Sequence, residues 1–162
     1  TPRHLLTFGK IMKLRKLTSF IGCTLDEYID CVNELRSHYE WSKKVYTAES
    51  IQDVYLILAG KHICGFLECK LEDTIWELPR PIYIHLQELH IAESQQKKGI
   101  GGSVIRHLLN KGVEIELYVA DENDPMRRLI EQFEGKIKHK PENVGIYRIK
   151  PPQQSNTEPV VI

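Results

Sequence analysis

The chain has 162 residues, 41% of them hydrophobic and 27% charged, and its 22 basic and 22 acidic side chains cancel to a formal net charge of zero. That length suits a single domain with a sizeable core, and the charge balance gives no global attraction to nucleic acid or an anionic membrane, leaving only a local basic patch as a route to either. No apolar run approaches the roughly 20 residues that span a bilayer. The four cysteines, Cys23, Cys31, Cys64 and Cys69, fit no common zinc spacing and read as reduced thiols, so a cytoplasmic setting is expected.

The first methionine is Met12, and residues 1–11 read as an N-terminal extension, a cloning or processing remnant, or the edge of an excised domain. They do not have the apolar core of a signal peptide. From Lys10 to Leu17, basic and apolar residues roughly alternate, which predicts an edge-type strand ended by Phe20-Ile21-Gly22. Thr24-Leu25-Asp26-Glu27 has the form of a capping box. Leu25, Tyr28, Ile29, Val32 and Leu35 then give a helix one apolar face as far as about His38. Tyr39-Glu40-Trp41 fall on a loop or short helix, where the aromatics either cover the core or line a substrate mouth. Thr47 to Ser50 predicts one helical turn. The apolar runs Val54 to Ala59 and Ile63 to Leu71 flank Gly60-Lys61, a hairpin signal. A polar loop from Glu72 to Arg80, with Trp76 and Pro79, leads to Pro81, which can open a strand from Ile82 to Ile91.

That strand runs into the stretch around which the chain is organised, Ala92-Glu93-Ser94-Gln95-Gln96-Lys97-Lys98-Gly99-Ile100-Gly101-Gly102. Val104, Ile105, Leu108 and Leu109 then repeat at helical spacing, and Lys111-Gly112 is a usual helix stop. Strand, glycine loop and helix together make an anion cradle. The first helical turn has unpaired N–H groups at a positive dipole end, and glycines admit a phosphate close to the backbone. Lys97 and Lys98 add positive charge there; the same residues also read as a tight turn with solvated lysines. Glu114 to Ala120 predicts a strand. Asp121 to Pro125 is a helix start, with an acidic cap and proline at the first helical position. Met126, Leu129, Ile130 and Phe133 form its buried stripe, and Gly135 ends it. Lys136 to His139 and Val144 to Ile149 predict a last strand pair. Pro151 to Pro159 is rich in proline and glutamine and predicts a disordered tail over 151–162. Strands and hairpins early, and strand–helix alternation late, predict a mixed α/β class, with helices on the faces of a mixed sheet, over residues 12–150.

Gln96-Lys97-Lys98-Gly99-Ile100-Gly101 resembles the Arg/Gln-x-x-Gly-x-Gly/Ala signature of the GCN5-related N-acetyltransferases, the GNAT superfamily. It looks most like the histone-type members, which does not assign a histone substrate. Glu93-Ser94 departs from the Pro-Glu many members carry there. The order of elements from about Lys13 to Lys150 also resembles the GNAT fold, which implies a central mixed, mostly antiparallel twisted sheet flanked by helices. The resemblance implies acetyl-CoA as co-substrate and no metal. It places the diphosphate on Gln96, Lys97, Lys98, Gly99, Ile100, Gly101 and Gly102. It sets the pantetheine arm along the backbone of Leu89, His90 and Ile91, and a side-chain contact at Asn123, which equally reads as a helix cap.

Acetyl transfer to an amine needs a group that takes the amine's proton, a donor for charge building on the thioester oxygen, and positioning. The strand before the glycine loop offers His85 and Glu88. In histone-type members the base lies eleven residues before the signature's Gln, and counting back from Gln96 reaches His85. Histidine has the right ordinary pKa, and Glu88 is the alternative. Either also reads as a polar residue on a half-exposed strand. Many members place a tyrosine acid seven residues after the Asn, where this chain has Ile130. That acid is therefore missing, replaced by water, or supplied by Tyr118 or Tyr147.

The expected activity is an acetyl-CoA-dependent N-acetyltransferase acting by direct attack in a ternary complex. The acceptor is an amine on a protein or a small molecule; no nucleic acid or membrane partner is evident. A catalytically degenerate acyl-CoA-binding or interaction module is the alternative that Ile130 supports. A different nucleotide-binding unit is a third reading. Against it, the loop has neither the Gly-Lys-Ser/Thr ending of a P-loop nor the Gly-x-Gly-x-x-Gly fingerprint.

Overall fold

The alternating pattern at the start of the chain does form a strand, β1 (Met12–Lys16). The computed structural model describes residues 12–38, 44–73, 82–152 and 161–162. Residues 1–11, Tyr39 and Trp41, Trp76, Pro79, Pro81 and most of the expected tail lie outside the described residues. After β1 come helix α1 (Gly22–Ser37), β2 (Val54–Ala59), β3 (His62–Asp73), β4 (Ile82–Ile91), α2 (Ile100–Leu109), β5 (Glu114–Ala120), α3 (Asp124–Gln132), β6 (Lys136–His139) and β7 (Val144–Ile149). The seven strands form one sheet in the order β1-β2-β3-β4-β5-β7-β6. Pairs β1–β2, β2–β3, β5–β7 and β6–β7 are antiparallel, and β4–β5 is parallel. This is the mixed sheet that the sequence pattern predicts, mostly antiparallel as the family resemblance implies.

The chain divides into two compact units. The first comprises residues up to 68 together with 88–100, and β3 and β4 run through both. Its core holds Leu17, Ile29, Val32, Tyr46, Ile51, Val54, Leu56 and Phe66, with Phe20, Leu25, Tyr28, Leu35, Leu58 and Ile63 packed around them. Each fully buried aliphatic or aromatic side chain contributes about 1.5–3 kcal/mol by leaving water. In the second unit Ile84, Leu86, Val104, Ile105, Leu108, Ile115, Leu117, Val119, Ile130 and Ile149 are buried.

Two helix starts differ from expectation. Helix α1 begins before the Thr24–Glu27 box, at Gly22, with Ile21 as cap residue and no side-chain cap bond. Gly22 takes φ +64, so the backbone turns into the helix at the glycine, and Thr24 and Glu27 are exposed on its first turns. In α3 the cap is Asn123, whose Oδ1 accepts from the Met126 N–H at 3.3 Å; Asp124 is the first helical residue and Pro125 the second. A further difference is that β3 extends to Asp73, so Glu72 belongs to the strand and not to the loop. Thr47 to Ser50 forms a turn closed by Ser50 N–H to Thr47 C=O at 3.0 Å.

A bulge in the β2–β3 hairpin shapes the end of β4. Ile57 pairs with Gly65 and Leu58 with Ile63, so Cys64 is the extra residue on β3. Its carbonyl accepts the Ala92 N–H at 2.8 Å, just past β4. Next to it, Gly65 allows the β4 backbone to come close: a Cβ there would lie 2.1 Å from the His90 carbonyl oxygen. Gly65→Ala is therefore expected to cost about 2 kcal/mol of stability by overpacking. An unchanged midpoint in urea denaturation would contradict this account of the bulge.

Candidate active site

The glycine stretch has the geometry of an anion cradle. Glu93–Gln95 forms a short 3-10 turn after β4. The Gln96 side chain then folds back, its Nε2 donating to the Ile91 carbonyl at 3.1 Å. Lys97 and Gly99 both take left-handed backbone, at φ 62 and φ 78. A side chain is rarely placed in that region without strain, and at Gly99 the Cβ position is open, with nothing within 4 Å. Helix α2 starts at the next residue, so its unpaired first-turn N–H groups follow directly on the open glycine. Lys97 and Lys98 are exposed, with Lys98 Nζ 3.4 Å from Gln95 Oε1. Gly101 and Gly102 lie against α3: a Cβ on Gly101 would come within 3.3 Å of Leu129. These features fit a diphosphate group, because they combine backbone donors, a dipole end, two cations and open space above a glycine.

The strand leading into the loop carries both candidate bases, and their surroundings differ. Glu88 lies in the first unit. Its Oε1 accepts from Arg36 Nη2 at 2.8 Å, and its Oε2 lies 2.6 Å from His90 Nε2. Arg36 is 2% exposed and also donates from Nη1 to the Lys44 carbonyl at 2.6 Å. The His90 ring stacks on Phe66 at 4.8 Å between centroids. Burial pushes the Glu88 carboxyl up, but the His90 hydrogen bond and the charge of Arg36 outweigh it and hold it below the usual range. Glu88 is thus a committed carboxylate with both oxygens in use, a poor proton acceptor in a catalytic cycle.

Close by in the same unit, Glu68 accepts from Tyr46 Oη at 2.9 Å and from Lys44 Nζ at 2.7 Å. Burial, then the Glu68 and Glu88 charges, raise the Tyr46 hydroxyl pKa. The Tyr46 ring also faces Lys44 Nζ at 4.8 Å and Arg36 Cζ at 5.8 Å. Arg36→Ala is expected to destabilise the protein by about 3 kcal/mol, because it leaves a largely buried carboxylate without its cation. Urea denaturation measures it, and a loss under about 1 kcal/mol would contradict the clamp. The sign with pH follows. A depressed Glu88 pKa gives stability that is complete above the ordinary carboxylate value of about 4.3 and is lost as pH falls through the folded value.

His85 lies in the second unit, in a different setting. Its side chain is 13% exposed, and Nδ1 is buried with no hydrogen bond to any described residue. Glu116 Oε1 lies 3.8 Å from Nδ1. Tyr118 packs edge-on against the ring at 4.9 Å between centroids, with Tyr118 itself 56% exposed. Burial lowers the His85 pKa, against the opposing pull of Glu72 and Glu116. At neutral pH the ring is therefore an uncharged imidazole able to accept a proton.

A ladder of ion pairs surrounds it. Arg148 donates to Glu116 Oε2 at 2.6 Å and to Glu114 Oε2 at 3.0 Å, and covers the Tyr83 ring at 4.2 Å. Tyr83 donates to Glu72 at 2.8 Å. Burial and Glu72 push the Tyr83 hydroxyl up to about 12.

The remaining predicted positions are placed as follows. Leu89 and Ile91 are half-buried and His90 is buried on β4. Asn123 caps α3 through its Oδ1, which accepts from the Met126 N–H. Ile130 is buried at 1% exposure, so no acid occupies that position. Tyr118 is beside His85, whereas Tyr147 packs against the backbone of Gly145, whose Cβ position is 2.5 Å from its ring. Arg36, Glu68 and Glu116 were not anticipated. A signal existed for the first two: Arg36 continues the Ile29–Val32 stripe of α1, and Glu68 interrupts a dense apolar strand. A charge on an apolar face marks a buried pair.

The sequence model described as the acetyltransferase (GNAT) family matches residues 19–135. No curated protein matched the chain. Solved structures share the fold. An acetyltransferase from Thermus thermophilus is 16% identical with TM-score 0.64, covering 87% of this chain and 97% of its own. Arabidopsis thaliana Naa50, in complex with the bisubstrate analogue CoA-Ac-MVNAL, is 15% identical with TM-score 0.61, covering 85% and 97%. Arabidopsis thaliana NAA60, in complex with acetyl-CoA, is 11% identical with TM-score 0.59, covering 85% and 95%. With the matched segment reaching from the entry to α1 through the glycine loop to the end of α3, the chain belongs to the GNAT acetyltransferase family.

Proposed function

We propose that this protein is an N-acetyltransferase that moves the acetyl group of acetyl-CoA to an amine by direct attack in a ternary complex. The observation that carries the reading is the open, left-handed Gly99 directly before the head of α2. Gln96 to Gly102 would hold the diphosphate by backbone N–H groups and the two lysines. The backbone of Leu89, His90 and Ile91 would run beside the pantetheine arm, and the Asn123 amide would donate to the co-substrate. Bound there, acetyl-CoA supplies an activated acetyl thioester.

The chain's own part is to orient the amine and remove its proton. His85 is the base, because burial keeps its imidazole neutral and its Nδ1 makes no hydrogen bond to a described residue. Glu88 keeps a positioning role: it holds His90, and Arg36 holds it. Tyr118, half-exposed with its ring packed against His85, would serve as acid. The acceptor is an amine of a protein or a small molecule, in line with the peptide-bearing bisubstrate analogue bound by the Naa50 relative. Cysteines without a zinc spacing suit a reducing, cytoplasmic setting.

Buried Ile130 favours one other reading, a binding module that has lost turnover. Thiol release from acetyl-CoA, measured against a panel of amines and peptides, separates them. Amine-dependent release supports the transferase; saturable binding without release for any acceptor supports the module.

A further inference from the structure

His85 sits in a cage of charge that the proposed reaction has not yet used. Glu116 is buried, at 7% exposure. One of its oxygens is fixed by Arg148 at 2.6 Å; the other faces His85 Nδ1 across 3.8 Å. Arg148 is itself fixed by Glu114 at 3.0 Å and by the Tyr83 ring at 4.2 Å, so the carboxylate has little freedom to turn away. The other groups acting on His85 are Glu72 and Lys70 from β3, which pair with each other at 3.0 Å, and the Tyr118 ring from β5. Tyr83 also donates to Glu72 at 2.8 Å; the Glu72 charge pulls the His85 pKa upward more than that of Glu116, which is the carboxylate facing Nδ1.

An uncharged imidazole has one N–H and one acceptor nitrogen, and the group facing each nitrogen decides which is which. A carboxylate opposite Nδ1 favours the proton there and leaves Nε2 as the acceptor. We infer that Glu116, held by Arg148, is a positioning residue for His85: it selects the Nδ1–H tautomer and stabilises the imidazolium formed when Nε2 takes the amine's proton. This rests on the acetyl-transfer reading above. In the step, an N–H bond of the protonated amine breaks, an Nε2–H bond forms, and the positive charge moves onto the ring beside Glu116. The proton later passes to water.

The test uses the whole chain with ring-labelled histidine and long-range proton–nitrogen NMR, without acetyl-CoA or acceptor. The His85 signals are assigned by difference from His85→Gln. In the wild type, His85 is expected as the Nδ1–H tautomer, and Glu116→Gln should move its titration to lower pH. In turnover, Glu116→Gln should lower kcat about tenfold. The acidic limb should shift in step, and KM for acetyl-CoA should stay unchanged. A wild-type ring protonated on Nε2, or a His85 titration unmoved in folded Glu116→Gln, overturns the inference. Should that variant fail to fold, the wild-type tautomer alone decides. Because the NMR readout needs no turnover, failure of the transferase reading and failure of this inference are seen separately.

Discussion

His85→Ala lowers acetyl transfer at pH 7 by about 10²–10⁴-fold, the span typical for loss of a general base, while acetyl-CoA binds with unchanged affinity. The separation is expected because His85 lies outside the glycine loop, with its partners on β3, β5 and β7. The pH dependence has a definite sign. The neutral ring is the working form, so kcat/KM falls as pH falls through the His85 pKa. Burial places that pKa below the ordinary 6.5 of histidine, and the wild type therefore keeps half of its rate to a pH under that value. The alanine variant lacks this limb. Steady-state rates between pH 5 and 8 measure both effects. An unchanged rate, or an unchanged acidic limb, removes His85 from the mechanism. The same experiment on Glu88→Gln should show a stability loss and no change in the limb, since the carboxylate is already committed to Arg36 and His90.

The second large effect is on binding. Gly99→Asp should weaken acetyl-CoA by roughly 100-fold or more, because like charges forced together cost several kcal/mol. The substituted carboxylate would occupy the space that is open above Gly99, which nothing else fills within 4 Å. Folding should survive. The left-handed backbone costs a non-glycine residue about 1–2 kcal/mol. Aspartate tolerates it better than most residues and gains about 0.3–1 kcal/mol from the α2 dipole. Calorimetry on the variant measures the affinity, and a melting curve confirms the fold. Wild-type affinity in a folded Gly99→Asp would mean that the cradle holds no diphosphate.

Much of this was legible because local rules agree with the fold here. Strands β2, β4, β5, β6 and β7 fall where apolar alternation and Gly or Pro punctuation put them. The glycine loop could be read because its chemistry lies in consecutive residues. What could not be read is long-range. Arg36 and Glu88 are 52 residues apart, and Glu116 and Arg148 are 32 apart, so no spacing rule joins them. His85 and Glu88 are both titratable residues on one strand, and only the neighbours separate them: Glu88 is paired with Arg36 and His90, whereas His85 Nδ1 makes no hydrogen bond to a described residue. The start of α1 was misplaced for a local reason. Thr24 and Glu27 satisfy the capping pattern, yet Gly22, two residues earlier, makes the turn that a capping residue would otherwise mark. Likewise, β7 lies between β5 and β6, an order that pairing of neighbours in sequence does not supply.

The central claim is that the loop from Gln96 to Gly102 is a working acetyl-CoA site. Calorimetric titration of the purified chain with acetyl-CoA, with ATP and NAD as controls, tests it most directly. Saturable one-to-one binding of acetyl-CoA, absent with ATP and NAD, is the expected result. No heat of binding with acetyl-CoA, or equal binding of all three, would contradict it.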